Sequence, residues 1–430
     1  PGTVPSVEML YQEAGFPYLT SMGIRNNGHI AKLLIVISIS GLFTSCATTY
    51  IGRYFAWGTI GGPEMQGKFP TREISTAPPV FEFRENPEQA ETYENLFLQI
   101  EYRSAEEEPV TKPFPAFLDS TETRALIVIV DDAIIYERYA EGFSRESSIA
   151  SFSMSKSVTS ALIGIAIDEG LIGSVNDPIA EYLPEYSGTK FSGITVRNLL
   201  AMNSGFQNSL GFAPWKNFVR SYFDPNLRKV ALNQKYKRPP GEKFSYNNAN
   251  TQLLGIILER ATGMSPSKYL EEKIWTKIGT AGNAYWSIDS EKHGFEQMAS
   301  GLYARPLDYA RFGRLFLNNG NYEGEQVISR DWVEKSTRSD SSRGDLQEYY
   351  QVREDTANYD FFIHQNGYYA YQWWGYTKPG GAPNDFYASG MYGQYIYVCP
   401  EKNALLLRFG NDIGDVFSWS EILRRIAGRL

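Results

Sequence analysis

Histidine and cysteine are scarce in this chain, and their scarcity excludes several chemistries. The three histidines, His29, His293 and His364, include no pair at ligand spacing. Neither HExxH nor CxxC occurs, so a zinc site built from side chains is not expected. The two cysteines, Cys46 and Cys399, are far apart, and Cys399 has no evident partner, so no disulfide is expected. The GxSxG nucleophile elbow is also missing, so serine chemistry here must find its base elsewhere. Clustered positive charge is lacking as well. A formal net charge of -8 argues against a nucleic-acid-binding face, and no internal repeat or sustained heptad run is visible.

What is present is a chain of 430 residues, 42% hydrophobic, long enough to bury a full core in roughly two or three units. Its most apolar run, Leu33 to Phe43, follows Arg25 and Lys32 and is too short for a span of about 20 residues, but it suits a signal-peptide core. The run ends Phe43-Thr44-Ser45-Cys46, which resembles a bacterial lipobox with Phe43 where leucine is usual. Met22 then reads as the start of an export signal, with Cys46 as the lipidation candidate. The expected location is an exported compartment of a bacterium, either periplasmic or held at a membrane by the lipid on Cys46.

Residues 47–114, rich in Pro and Glu, read as an extended arm and linker with one helix at most. Ala125 to Val130 and Ile134 to Tyr139 read as a hairpin around Asp131-Asp132-Ala133. Ser153 to Asp168 is apolar on nearly every face and predicts a central, buried helix. From Leu171 to Gly320 the pattern is mostly helical. Gln394 to Val398 and Ala404 to Phe409 form a second hairpin, and an amphipathic helix closes the chain. The expected fold is of α/β (α+β) type: an antiparallel sheet from both ends of the chain (115–170 and 321–430), flanked by helices, with a mostly helical unit inserted at 171–320.

The pattern SxxK occurs three times, at Ser153–Lys156, Ser187–Lys190 and Ser265–Lys268. At average usage chance gives about one or two, so context must choose. Residues three apart on a helix share a face, and a lysine in the first turn of a buried helix has its charged form disfavoured by burial and by the helix dipole. Ser153 opens such a helix. Ser187 stands beside Gly188 in a turn, and Ser265-Pro266 reads as an ordinary N-cap whose Lys268 is solvated beside Glu271 and Glu272. Tyr246-Asn247-Asn248 precedes another apolar helix; a phenol beside an amine can relay a serine's proton, and an amide can hold a carbonyl or the lysine.

Taken in order, Ser153-Met154-Ser155-Lys156, Thr195 to Leu200 with Asn203-Ser204-Gly205, Pro240-Gly241-Glu242 running into Tyr246-Asn247-Asn248, and Asp308-Tyr309-Ala310-Arg311-Phe312-Gly313 resemble the class C β-lactamase family. That family includes β-lactamases, D-Ala-D-Ala peptidases, esterases and amidases such as 6-aminohexanoate-dimer hydrolase. The resemblance implies a β-lactamase/transpeptidase-like fold, no cofactor, and acyl transfer through Ser153 with Lys156 and Tyr246 handling the proton. It further implies that Asn248 orients Lys156 or the substrate amide, and that the backbone N–H groups of Ser153 and of a residue beside Gly390, namely Met391, form the oxyanion hole. The family's third motif corresponds to Ala388-Ser389-Gly390, with Ala388 where a Lys or His would bind a substrate carboxylate. This departure weakens a β-lactam or D-Ala-D-Ala substrate and favours small amides or esters. Tyr371 and Trp373 are the pocket candidates of the aromatic stretch 359–376, while His364 reads as a structural hydrogen-bonder and Cys399 as a buried small hydrophobe. A non-turnover, penicillin-recognising sensor is the alternative of another class.

Overall fold

The computed structural model describes residues 49–57, 67–208, 215–339, 346–350 and 360–430. Its central sheet has eight strands: β1 (Arg84–Glu85), β2 (Thr123–Val130), β3 (Ala133–Tyr139), β4 (Gly367–Ala370), β5 (Trp373–Tyr376), β6 (Asp385–Gly390), β7 (Gln394–Cys399) and β8 (Ala404–Gly410). Their order is β4-β5-β6-β7-β8-β2-β3-β1, antiparallel throughout except that β1 lies parallel to β3. Both expected hairpins form. Asp131 and Asp132 both take positive φ (51° and 60°), as a tight hairpin turn demands and as aspartate tolerates better than bulkier residues.

The strand sequences ALIVIV and ALLLRF do not alternate because both sheet faces are covered. One face carries Ala125, Ile127, Ile396, Leu405 and Leu407 against three helices: α1 (Ser155–Asp168), α2 (Asn248–Thr262) and α3 (Pro306–Leu317). The other carries Leu126, Val128, Tyr397 and Leu406 against Phe114, Phe117 and α4 (Trp419–Ala427). Helix α1 is buried from Ser155 to Ala166, which explains its lack of a polar face. Helix α2 starts where the Asn247 side chain accepts from the Ala249 N–H and stops at Gly263, whose φ of 69° ends the helical path.

Residues 171–320 hold the expected helices, and also strands Ala284–Ser287 and Leu302–Ala304. These lie in a second sheet ordered Thr71–Ile74, Ala284–Ser287, Leu302–Ala304, Ile149–Ala150. The arm expected at 47–114 is instead largely folded. Thr71–Ile74 forms the edge of that second sheet, β1 the edge of the first, and Gln99–Arg103 pairs with Pro109–Pro113 as a hairpin. Its charged residues misled the reading because they alternate with buried ones: Ile100 and Tyr102 point inward while Gln99 and Glu101 face solvent. Cys46 and the apolar run before it lie outside the described residues, as does Tyr359. No helix among the described residues is long and apolar enough to cross a membrane.

Candidate active site

Strand Ile149–Ala150 delivers the chain to Ser151, whose N–H donates to the Leu302 carbonyl at 2.8 Å. A single 3-10 turn, Phe152–Met154, then joins it to α1, and Ser153 sits in that turn. Phe152 is held at φ 45°, a left-handed conformation that costs a non-glycine side chain of order 1–3 kcal/mol. The carbonyl of Phe152 accepts from the Ser151 hydroxyl at 3.1 Å and the Ser155 hydroxyl at 3.0 Å, and its ring is buried, so the turn is over-determined. Ser153 is thereby left half-buried at the head of a buried helix.

Lys156 is one turn further on. Its Nζ lies 2.9 Å from Ser153 Oγ and donates at 2.8 Å to the carbonyl of Ala299. The side chain is fully buried, and no carboxylate supports its charge, so desolvation pushes its pKa well below the ordinary lysine value. An amine that has lost its proton has a lone pair available, and the atom beside it is the serine hydroxyl. The Tyr246 ring centroid is 4.9 Å from the same Nζ. That ring stacks on Trp374 at 5.8 Å and meets Tyr369 edge-on at 6.0 Å. Three elements distant in sequence therefore converge on one amine.

The other two SxxK segments are surface features. Ser265 caps its short helix by accepting from the Lys268 N–H, and Lys268 pairs with Glu271 and Glu272 in solvent. Ser187 and Lys190 are both exposed.

Several expected contributors are placed differently. Asn248 opens α2, but its amide donates to Ser221 Oγ at 3.2 Å; the second atom holding Lys156 is the Ala299 carbonyl. Trp373 is fully buried between Phe316 (4.5 Å), Phe386 (5.4 Å) and Phe312 (6.2 Å), on the α3 side of the sheet. Tyr371 is buried against Trp332. Both are core residues, and alternation along β5 turns Trp374, the neighbour of Trp373, toward Tyr246. Trp374 had no signal of its own in a stretch crowded with aromatic residues.

Gly390 ends β6 beside the Ser153 turn. A Cβ there would stand 2.3 Å from the Ser151 carbonyl, so only glycine permits this approach. Met391, next along, is buried with Phe152 in a small cluster that also contains Phe69, Tyr222 and Phe223. Ala388 is fully buried within the core, and Ser389 is the half-buried side chain of the motif. Sequence reasoning missed Gln372. Its amide donates to the carbonyls of Leu199 and Leu200 and accepts from Thr251, while its own carbonyl accepts from Ser157, so it ties the β4–β5 turn to α1 and α2. His364 lies exposed beside Asp360 at 3.3 Å, and Cys399 is buried and reduced. No group of three metal-binding side chains occurs among the described residues.

A two-sheet frame with a Ser–Lys pair at the head of its buried helix defines a class, and comparison with known proteins gives that class its name. The Beta-lactamase family model matches residues 116–426, and the chain belongs to that family, as a hydrolase of the β-lactamase fold. Among curated proteins it is similar to the 6-aminohexanoate-dimer hydrolase of Paenarthrobacter ureafaciens, 27% identical over 307 residues, covering 68% of this chain and 74% of that one. It is also similar to penicillin-binding protein 4* of Bacillus subtilis, 30% identical over 132 residues, or 30% and 28% of the two chains. A solved Bacillus anthracis protein, provisionally named a 6-aminohexanoate-dimer hydrolase, superposes with a TM-score of 0.69 at 23% identity, covering 89% of this chain and 95% of that one. The octameric penicillin-binding protein homologue of Pyrococcus abyssi gives 0.54 at 20% identity, covering 73% and 75%. These structural likenesses bear on the fold.

Proposed function

We propose that this protein hydrolyses small amides or esters through an acyl-enzyme on Ser153. The observation that carries the reading is the buried Lys156 amine 2.9 Å from the Ser153 hydroxyl, with its pKa lowered by desolvation. In the first step Ser153 Oγ attacks the substrate carbonyl and its proton passes to neutral Lys156 or through Tyr246. The carbonyl oxygen takes the negative charge and meets the backbone N–H groups of Ser153 and Met391; donors of this kind contribute about 3 kcal/mol. Collapse expels the amine or alcohol, which takes up the stored proton. Water, deprotonated with the help of Tyr246, then attacks the acyl ester and frees Ser153.

Substrate class is inferred from the third motif and from the curated relative. Ala388 offers no cation to a substrate carboxylate, and the 27% identical relative bears the name 6-aminohexanoate-dimer hydrolase. The deciding experiment compares steady-state hydrolysis of a short-chain nitrophenyl ester, a linear aminohexanoate amide and a chromogenic cephalosporin, each blanked with Ser153→Ala. Ester or amide turnover with a silent cephalosporin supports the reading. Fast cephalosporin turnover would instead make the protein a β-lactamase, and a burst without steady turnover a sensor. We further propose, from the signal-like run and its cysteine, that the protein is exported and anchored by a lipid on Cys46. Cys46→Ser should move it from the membrane to the soluble fraction, and unchanged fractionation would refute the anchor.

A further inference from the structure

Arg408 on β8 is a buried cation away from Ser153 and Lys156. It is fully buried, and no carboxylate pairs with it, so burial lowers its pKa to about 9. All five of its N–H donors are nevertheless used on neutral oxygens. Nε donates to Thr123 Oγ1 at 3.1 Å, Nη2 to the carbonyls of Thr121 and Asp412 at 2.7 Å each, and Nη1 to the carbonyls of Tyr392 and Gly393 at 2.8 Å each. The guanidinium lies 3.9 Å from the Trp419 ring centroid. Two glycines make room for it: a Cβ at Gly393 would stand 1.9 Å from Nη1, and one at Gly410 would stand 2.4 Å from it.

A second buried side chain works on the same turn. Gln394 donates to the carbonyls of Met391 and Gly410, both at 2.8 Å, and accepts from the Gly410 N–H at 3.1 Å. The carbonyls of Met391, Tyr392 and Gly393 are therefore each held by Arg408 or Gln394. This three-residue turn follows Gly390, which touches the carbonyl of Ser151, and the ring of Tyr392 meets that of Phe152 at 5.5 Å. An apolar side chain at 408 would leave these acceptors unpaired, so the buried guanidinium fixes the path of the 391–393 turn together with segments 121–123 and 412.

We propose that Arg408 and Gln394 are positioning residues for the oxyanion site, fixing the 391–393 turn so that the Met391 N–H stays aimed at the oxygen that becomes charged when Ser153 attacks. This rests on the reading of Met391 as an oxyanion donor. Preorganised donors act only if their orientation is already set when charge develops, and a turn with residues at φ 63° and 71° would otherwise have other conformations open to it.

The test uses Arg408→Lys and Gln394→Met, both confirmed folded by a cooperative thermal transition, with matched nitrophenyl acetate and its thionoester. Sulfur accepts hydrogen bonds poorly, so an oxyanion site favours the oxygen ester. In each variant the oxygen-over-sulfur preference in kcat/KM should fall by roughly tenfold, with the loss in kcat and little change in KM. Equal losses on both esters would overturn the proposal, because they would show only a loosened fold. Should Arg408→Lys not fold, Gln394→Met decides alone, since it keeps the side-chain volume and removes only the amide. If the unmodified protein itself shows no preference for the oxygen ester, the oxyanion reading of Met391 fails, whatever the variants do.

Discussion

At the scale of the residue, the proposed chemistry rests on one lysine being in an unfavourable place. Burial without a counter-ion raises the free energy of the Lys156 cation, and under the proposed mechanism a neutral amine there can take the serine's proton. The rate with a non-ionising ester should therefore rise with pH through a limb well below the ordinary lysine pKa of about 10.4 and then level off. A rate still climbing at pH about 10 would contradict this. The same depression has a stability sign. The unfolded chain takes up the proton first as pH falls from the ordinary lysine value, so stability is fully present above that value and is lost as pH drops toward and through the folded one. Lys156→Met should remove that dependence and unfold at a higher temperature near neutrality, while activity falls by about a thousandfold or more. Reduced thermal stability in this variant would show that the amine is held for packing. The choice among serines has its own contrast: Ser153→Ala should abolish turnover, whereas Ser265→Ala should leave it and cost about 1 kcal/mol of stability through the lost cap. Similar activity losses at both would refute the assignment.

At the scale of the element, the legible parts of the site were those set by local periodicity. Ser153 and Lys156 meet because a spacing of three on a helix brings side chains together, and the burial of α1 could be read from its apolar residues on every side. Tyr246 was legible through its motif, but what the backbone of another element supplied could not be read. The Ala299 carbonyl reaches Lys156 from 143 positions away, and a backbone acceptor leaves no mark in a sequence. The pocket candidates failed for a related reason. In β4 and β5 both sheet faces are apolar, so the alternation that normally tells inside from outside is silent, and Trp373 could not be told from Trp374. The structure separates them, and their substitutions should differ accordingly. Trp373→Ala should cost about 3–5 kcal/mol in denaturant unfolding. Trp374→Leu should instead lower kcat by loosening the Tyr246 ring, with a smaller loss of stability. A kcat effect confined to Trp373→Ala would invert that assignment.

At the scale of the whole molecule, the family match begins at residue 116, yet the two sheets around Ser153 include strands upstream of it. Strand Thr71–Ile74 extends the sheet that delivers Ser153, and Arg72 within it pairs at 2.7 Å with Glu296, whose side chain is fully buried. The hairpin 99–113 lays Tyr102 against Phe117 at 4.8 Å, and its Arg103 bridges to Asp360 and Glu421, clamping α4 onto the sheet. A charge-rich stretch was thus structural, because its carboxylates and guanidinium groups join distant segments of the chain. Removing residues up to 115 would uncover the partners of Phe97, Ile100 and Tyr102, each worth about 1.5–3 kcal/mol of burial. It would also leave the Glu296 carboxylate without its cation, at a cost of about 3 kcal/mol, the low end for buried pairs because Arg72 is itself partly exposed. Together these losses are comparable to the 5–15 kcal/mol that holds a typical domain folded. A chain beginning at residue 47 should therefore melt cooperatively and label at Ser153 with a fluorophosphonate, whereas one beginning at 116 should be recovered insoluble or without a cooperative transition. If the chain from 116 folds and labels at the same rate, the upstream segment is a dispensable cover and the unit of function is the family domain alone.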